Sequence, residues 1–303
     1  MRSERNLRIG GALAVLVFAA TAARAEVAAL WPASGQPGTK VIGIKLMAIG
    51  DDPDPINPTV WHQFSAPGSG RVPLNPEGEA NGDGFPAMVS HPVTGALLVA
   101  WSKSTPGGFD VVFSRFVDGA WSVPQVVAGG VANDLDPQLV VDDAGVVHLF
   151  YWQDGASPQV MRVQTADLVT WTAPQLVSEP GEDACRPAAA VFQGVLRVAY
   201  EVHDFGFGNT PRQVVLAREE GGSFVKEVVA ITSNFGIVAP EVHVHAGRLW
   251  VDWVDAENAE AGEVAWTRLD VQGHWEPIRY EPFENAAERH FIVRGGVRML
   301  AIQ

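Results

Sequence analysis

The sequence predicts an all-β chain folded as a five-bladed β-propeller, its last blade closed by strands from both termini. Three observations predict it: a repeat of about fifty residues, a fixed register inside each repeat, and two half-repeats at the chain ends. Prolines that open short apolar runs stand at Pro86, Pro137, Pro187 and Pro240, which are 51, 50 and 53 residues apart. Six residues beyond the turn glycines Gly95, Gly145, Gly194 and Gly247 come Trp101, Tyr151, Tyr200 and Trp253. A second aromatic follows at Trp121, Trp171, Phe224 and Trp275, and the first three each stand 16 residues before the next opening proline. Units of this length with four short strands each form a propeller, because every unit buries its faces against its neighbours.

From the N-terminus, Arg2, Arg5 and Arg8 make a basic start, and Ile9 to Ala22 is an apolar run short for a membrane span. Ala23-Arg24-Ala25 then supplies small residues for cleavage. Residues 1–25 therefore read as a signal peptide and 26–303 as one exported propeller domain, periplasmic or extracellular, beginning at Glu26. No cysteine lies near the cleavage point, which argues against a lipid anchor, and the sole cysteine, Cys185, has no partner for an internal disulfide. Val41 to Ile49 finds no place in the repeat, and Asp51 to Pro58 has carboxylates without EF-hand spacing, the pattern of a rigid turn.

Thr59 to Asn75 aligns with Asp110 to Val126, the last two strands of a unit. The units that follow alternate apolar and polar residues, so that Leu97, Val99 and Trp101 share a face, as do Val147, Leu149 and Tyr151. Arg289 to Ile302 matches Pro240 to Val254, a unit's first two strands. Joining the two ends completes a fifth unit and removes the open sheet edges of a linear array.

Loss of residues 1–25 removes four arginines and Glu4 from 21 basic and 35 acidic residues, which leaves a net charge of −17. Nucleic acid is excluded as a partner by that charge, and the mature chain is repelled by anionic membrane surfaces. Helical periodicity is almost absent after residue 30, and no linker divides the chain.

In a propeller the loops entering the first strands and those joining second to third strands gather at one mouth of the central channel. Here that mouth carries Asp83, Asp134, Asp136, Asp154, Glu182, Asp183, Asp204, Asp255, Glu257 and Glu260 against Lys103 and Arg186. The joining loop Glu201 to Pro211 is Gly-rich and holds Phe205 and Phe207, placed either to stack on a sugar ring or to cap the channel. Glu241, His243 and His245 alternate along one strand at chelating spacing, but without a third committed ligand they read as structural. No cofactor and no metal site is expected.

The opening proline, Gly turn, aromatic-ended strand and the segments WSVPQVV and WTAPQLV together resemble the BNR-repeat, or sialidase-like, propellers. Thr165-Ala166-Asp167 with Trp171 is similar to their Asp box, which implies a turn tied by Asp167 with Trp171 packed between strands. A second, local resemblance is to the five-bladed glycosidases that cleave arabinan and xylan. It rests on DLDPQLVVDDAGVVHLFYW, Asp134 to Trp152, and on TADLVTW. That resemblance implies a carboxylate base, an orienting Asp and a Glu acid at successive blade entries. Asp136 matches the orienting Asp. Phe85 stands at the base position, however, and Cys185-Arg186-Pro187 stands where the acid is expected.

Active sialidases would need an arginine triad and a nucleophilic tyrosine. Tyr151 and Tyr200 fall at the repeated core position, and Tyr280 falls on an outer strand. The sequence thus points to a non-catalytic carbohydrate-binding protein. Asp136 is the best single catalytic candidate; Asp83, Asp134, Asp136, Asp183, Arg186, Asp204, Phe205 and Phe207 are the candidate ligand contacts. A glycoside hydrolase with a degenerate site and a scaffold for a protein partner remain as alternatives.

Overall fold

The computed structural model describes residues 8–9, 12–13, 26–32, 41–47, 61–63, 71–73, 83–203, 212–232, 240–245, 247–255, 263–270, 272–282, 292–294 and 297–299. All elements are β-strands, and the middle of the chain forms four successive up-and-down antiparallel sheets. The first contains Asp83–Ser90, Leu97–Thr105 and Gly108–Val117, the last of which pairs with both Ala120–Trp121 and Gln125–Ala128. The second runs Asp134–Val141, Val147–Gln153, Gln159–Thr165 and Gln175–Leu176. The third runs Ala184–Phe192, Val195–Val202, Arg212–Glu220 and Ser223–Thr232, and the fourth Glu241–His245, Arg248–Asp255, Glu263–Arg268 and Arg279–Pro282. The first strand of each sheet adjoins the first strand of the next, so these strands form the inner layer.

The core lies between sheets. Ala100, Val111, Leu149, Tyr151 and Val163 fill the space between the first and second. Phe150, Val160, Val198 and Tyr200 fill the next, and Ala199, Leu216, Val251 and Trp253 the one after. The repeated aromatic therefore packs against the preceding sheet each time. Trp101 lies on the outer side of the first sheet, where it is fully buried beside Val99 and Val112. The second set of aromatics seals the rims: Trp171 meets Phe113 edge-on with centroids 5.1 Å apart, and Phe224 meets Phe150 at 6.3 Å.

The opening prolines explain the inner edge of each sheet. Proline has no N–H for the ladder, and its ring bars the preceding residue from the helical region. In the first three sheets the chain responds with a β-bulge: Phe85 and Pro86 oppose Trp101 alone, Asp136 and Pro137 oppose Tyr151, and Arg186 and Pro187 oppose Tyr200. The residue before each proline takes a left-handed conformation, with φ of 51° at Phe85, 50° at Asp136 and 52° at Arg186. The sequence landmarks are thus the two sides of one recurring irregularity.

Both expected half-units form antiparallel pairs. Trp61–Gln63 pairs with Arg71–Pro73, and Ile292–Arg294 with Val297–Met299. Most of Val41 to Ile49, which the repeat left unplaced, is the strand Val41–Met47, paired with Glu26–Pro32. Glu26–Pro32 lies beside Val297–Met299, and Val41–Met47 beside Trp61–Gln63. Among the described residues these pairs remain separate two-stranded sheets. Of the expected signal segment, only the pair Arg8–Ile9 and Ala12–Leu13 falls within the described residues.

Candidate functional site

The three bulges set the site. A bulge adds a residue to one strand and re-aims its side chain, and here the strained position recurs at the entry of three adjacent sheets. The side chains presented there are an aromatic, a carboxylate and a guanidinium: Phe85, Asp136 and Arg186. Phe85 is exposed, while Asp136 and Arg186 are half-buried.

Arg186 is held from below. Its Nη1 donates to Glu201 Oε2 at 3.2 Å and lies 3.9 Å from Cys185 Sγ. Glu201, fully buried, also accepts from Arg212 Nη1 through Oε1. His203 Nε2 lies 3.6 Å from Glu201 Oε1 and 3.5 Å from Cys185 Sγ. Burial opposes the Arg186 charge, but Cys185, Glu201 and Asp136 outweigh it and raise its pKa. Burial lowers the pKa of His203, with Arg212 and Arg186 adding to the effect, which favours the neutral ring. Burial also raises that of the Cys185 thiol. Glu201 thus accepts from two arginines, one at each carboxylate oxygen.

Asp134 is fully buried across the ladder from Gln153, whose Nε2 donates to its Oδ1 at 3.0 Å. Burial pushes its pKa up to about 6, and Asp110 contributes in the same sense. Asp183 accepts a 2.6 Å hydrogen bond from the Ser157 hydroxyl, and its carbonyl accepts from the His203 N–H, tying the second sheet's loop to the third. Glu182 is bonded to Tyr200 and to Lys226, at 3.3 and 2.6 Å, and Asp154 accepts from Asn133 at 3.2 Å. Asp154, Glu182 and Asp183, three of the expected mouth acids, are therefore engaged in fastening the entry loops. Asp83 lies on the first strand opposite Lys103. Its side chain, together with Asp204, Phe205 and Phe207, lies outside the described residues.

The structure brings Asp136 and Arg186 to equivalent positions on adjacent sheets and gathers Cys185, Glu201, His203 and Arg212 behind them. Sequence reasoning missed that second group. Its only local signal was the alternation of Glu201 and His203 at the end of a strand.

Two other expectations take definite form. Thr165 Oγ1 donates to Asp167 Oδ1 at 2.9 Å, and that oxygen accepts from Val169 N and Thr170 N at 2.8 and 2.7 Å, so the Asp-box residues tie a turn. His243 stacks on Trp250 with an interplanar angle of 11° and places Nδ1 3.1 Å from Asp252 Oδ2, deep in the fourth sheet. Glu241 faces Asp252 across the same ladder, and the side chain of His245 is outside the described residues.

The sequence matches no protein-family model, and no curated protein is significantly similar to it. Solved structures do match in fold. An α-L-arabinanase of Penicillium chrysogenum, complexed with arabinobiose, superposes with a TM-score of 0.53 at 12% identity, over 86% of this chain and 98% of that one. The intramolecular trans-sialidase of Ruminococcus gnavus, in complex with oseltamivir carboxylate, gives 0.52 at 10% identity over 67% and 71%. A protein of unknown function from Dyadobacter fermentans gives 0.52 at 14% identity over 70% of each chain. Identities this low speak for architecture and not for activity. The chain is similar in fold to the β-propeller glycosidases of the arabinan-cleaving and sialidase types, as its sequence motifs implied.

Proposed function

We propose that this is an exported five-bladed propeller that binds a glycan at the mouth of its channel without hydrolysing it. The observation that carries the reading is the content of the three equivalent bulges. Glycoside hydrolysis needs two carboxyl groups across the scissile bond, one of them protonated. The bulges present a single carboxylate, Asp136, with Phe85 on one side and Arg186 on the other. Glu201, the acidic residue behind Arg186, accepts a hydrogen bond from an arginine at each oxygen. An aromatic face beside a carboxylate and a guanidinium suits recognition of a polyol, with stacking on the sugar and hydrogen bonds to its hydroxyls.

Two features support a closed ring. Trp101 is fully buried on a face of the first sheet that the other three sheets do not cover, and the strands Glu26–Pro32 and Val297–Met299, from opposite ends of the chain, lie side by side. Export rests on the N-terminal pattern of basic start, apolar run and small-residue cleavage point.

The test pairs a turnover assay with a binding assay. Aryl arabinosides, xylosides and sialosides should show no hydrolysis above background. Retention on a glycan array should fall with Asp136→Ala or Phe207→Ala while the fold survives. Robust hydrolysis abolished by Asp136→Asn would overturn the reading in favour of a glycosidase. Absence of both activities would leave a scaffold for a protein partner.

A further inference from the structure

Behind Arg186, three side chains of metal-ligating chemistry converge from two adjacent strands of the third sheet and the residue just beyond the second. Cys185 and Glu201 are direct cross-strand partners, and His203 follows Glu201 by two residues. Cys185 Sγ lies 3.5 Å from His203 Nε2, which lies 3.6 Å from Glu201 Oε1, and the three ligand atoms all fall within 4.8 Å of one another. Around one zinc ion, with Zn–S about 2.3 Å and Zn–N or Zn–O about 2.0–2.2 Å, tetrahedral ligand atoms stand about 3.3–3.6 Å apart. Two of the three edges are already close to that spacing.

We propose that Cys185, Glu201 and His203 form a binding site for a thiophilic divalent cation, zinc in the first place, with these three as its ligands among the described residues. A thiolate, an imidazole and a single carboxylate select zinc or cobalt over calcium or magnesium, which take oxygen shells. His203 turns its Nε2 toward the other two ligand atoms.

The surroundings fit the role of an outer shell. Arg186 and Arg212 hold and orient the Glu201 carboxylate. Arg186 Nη1 lies 3.9 Å from Sγ, within the same outer shell. Binding releases the Cys185 proton to solvent as the S–metal bond forms. Two guanidiniums beside a dication are costly by themselves. The thiolate and Glu201 offset two of those positive charges, and Asp136 and Asp183 exert their fields on Cys185 and His203 respectively.

The experiment uses the full chain, stripped with chelator, kept reduced and titrated with cobalt(II) at neutral pH. One cobalt should bind per chain, with near-ultraviolet thiolate-to-cobalt absorption and intense visible bands of tetrahedral geometry, and zinc should displace it. Cys185→Ser should abolish the near-ultraviolet absorption. His203→Gln should weaken binding by more than the roughly 10–100-fold that loss of an outer-shell partner costs. His148→Gln, in the second sheet, should leave the titration unchanged, with circular dichroism reporting that each variant is folded. The wild-type titration decides the matter even if a variant fails to fold: no thiolate band at saturating cobalt overturns the site. Equal spectra and affinity in folded Cys185→Ser overturn it as well.

Discussion

Glu201→Ala should be among the most damaging single substitutions at the mouth. The residue is fully buried and accepts hydrogen bonds from Arg186, at 3.2 Å, and from Arg212. Truncation leaves two guanidiniums facing a void lined by Cys185 and His203. Breaking a buried ion pair by removing one partner costs about 3–5 kcal/mol, because the remaining charge is desolvated without compensation. The Arg186 side chain is 30% exposed and can rehydrate by turning outward, whereas that of Arg212 is only 17% exposed. The lower end of that range therefore applies, about 3 kcal/mol. At about 2–4 °C per kcal/mol for a domain of roughly this size, the melting temperature should fall by about 6–12 °C. The assay is thermal and urea unfolding of wild type, Glu201→Ala, Arg212→Met and the double variant. Removing the stranded cation should recover part of the loss, giving a coupling energy of about 1–3 kcal/mol. A loss below about 1 kcal/mol with strictly additive effects would refute the reasoning.

The remaining predictions concern other parts of the chain. Asp134 has a pKa raised from 3.8 to about 6 in the folded protein, so the fold binds more protons than the unfolded chain between those values, and stability should fall as pH rises through that window. Asp134→Asn should escape this fall and gain on wild type by on the order of 2–3 kcal/mol from about pH 4 to pH 6; urea unfolding across that range checks it, and a pH-independent difference would count against it. Trp101→Ala should cost about 3–5 kcal/mol, as expected for a fully buried ring, and a melting temperature within a few degrees of wild type would mean that no sheet covers that face. Mass spectrometry of exported protein should give a chain beginning at Glu26, and a mass that retains Arg2 to Ala25 would remove the export proposal.

What the sequence determined by itself was everything governed by local backbone chemistry. Pro86, Pro137 and Pro187 cannot complete a ladder, so they mark the inner bulges, and the aromatic of the next strand is the residue each bulge opposes. Gly145 and Gly194 turn with φ of 83° and 73°, a conformation that glycine adopts without a Cβ penalty, so the strand pairs were legible from their spacing. The turn tied by Thr165 and Asp167 closes within six residues, as the resemblance to the Asp box implied.

The site behind Arg186 was not readable, because its members come from separate strands and meet only after register is set. Each bulge shifts that register by one residue, and a shift of one exchanges the faces of a strand. Asp134 and Asp183 looked like equivalent mouth acids in sequence. In the structure Asp134 pairs with Gln153, the matching position in the third sheet is Ala184, and Asp183 stands one residue earlier, bound to Ser157. Glu201 read as the start of a loop, yet cross-strand pairing sets it against Cys185, and the third strand brings Arg212 to its carboxylate. Local stereochemistry settled where the strands begin and turn; the pairing of distant strands decided which charges share a buried space.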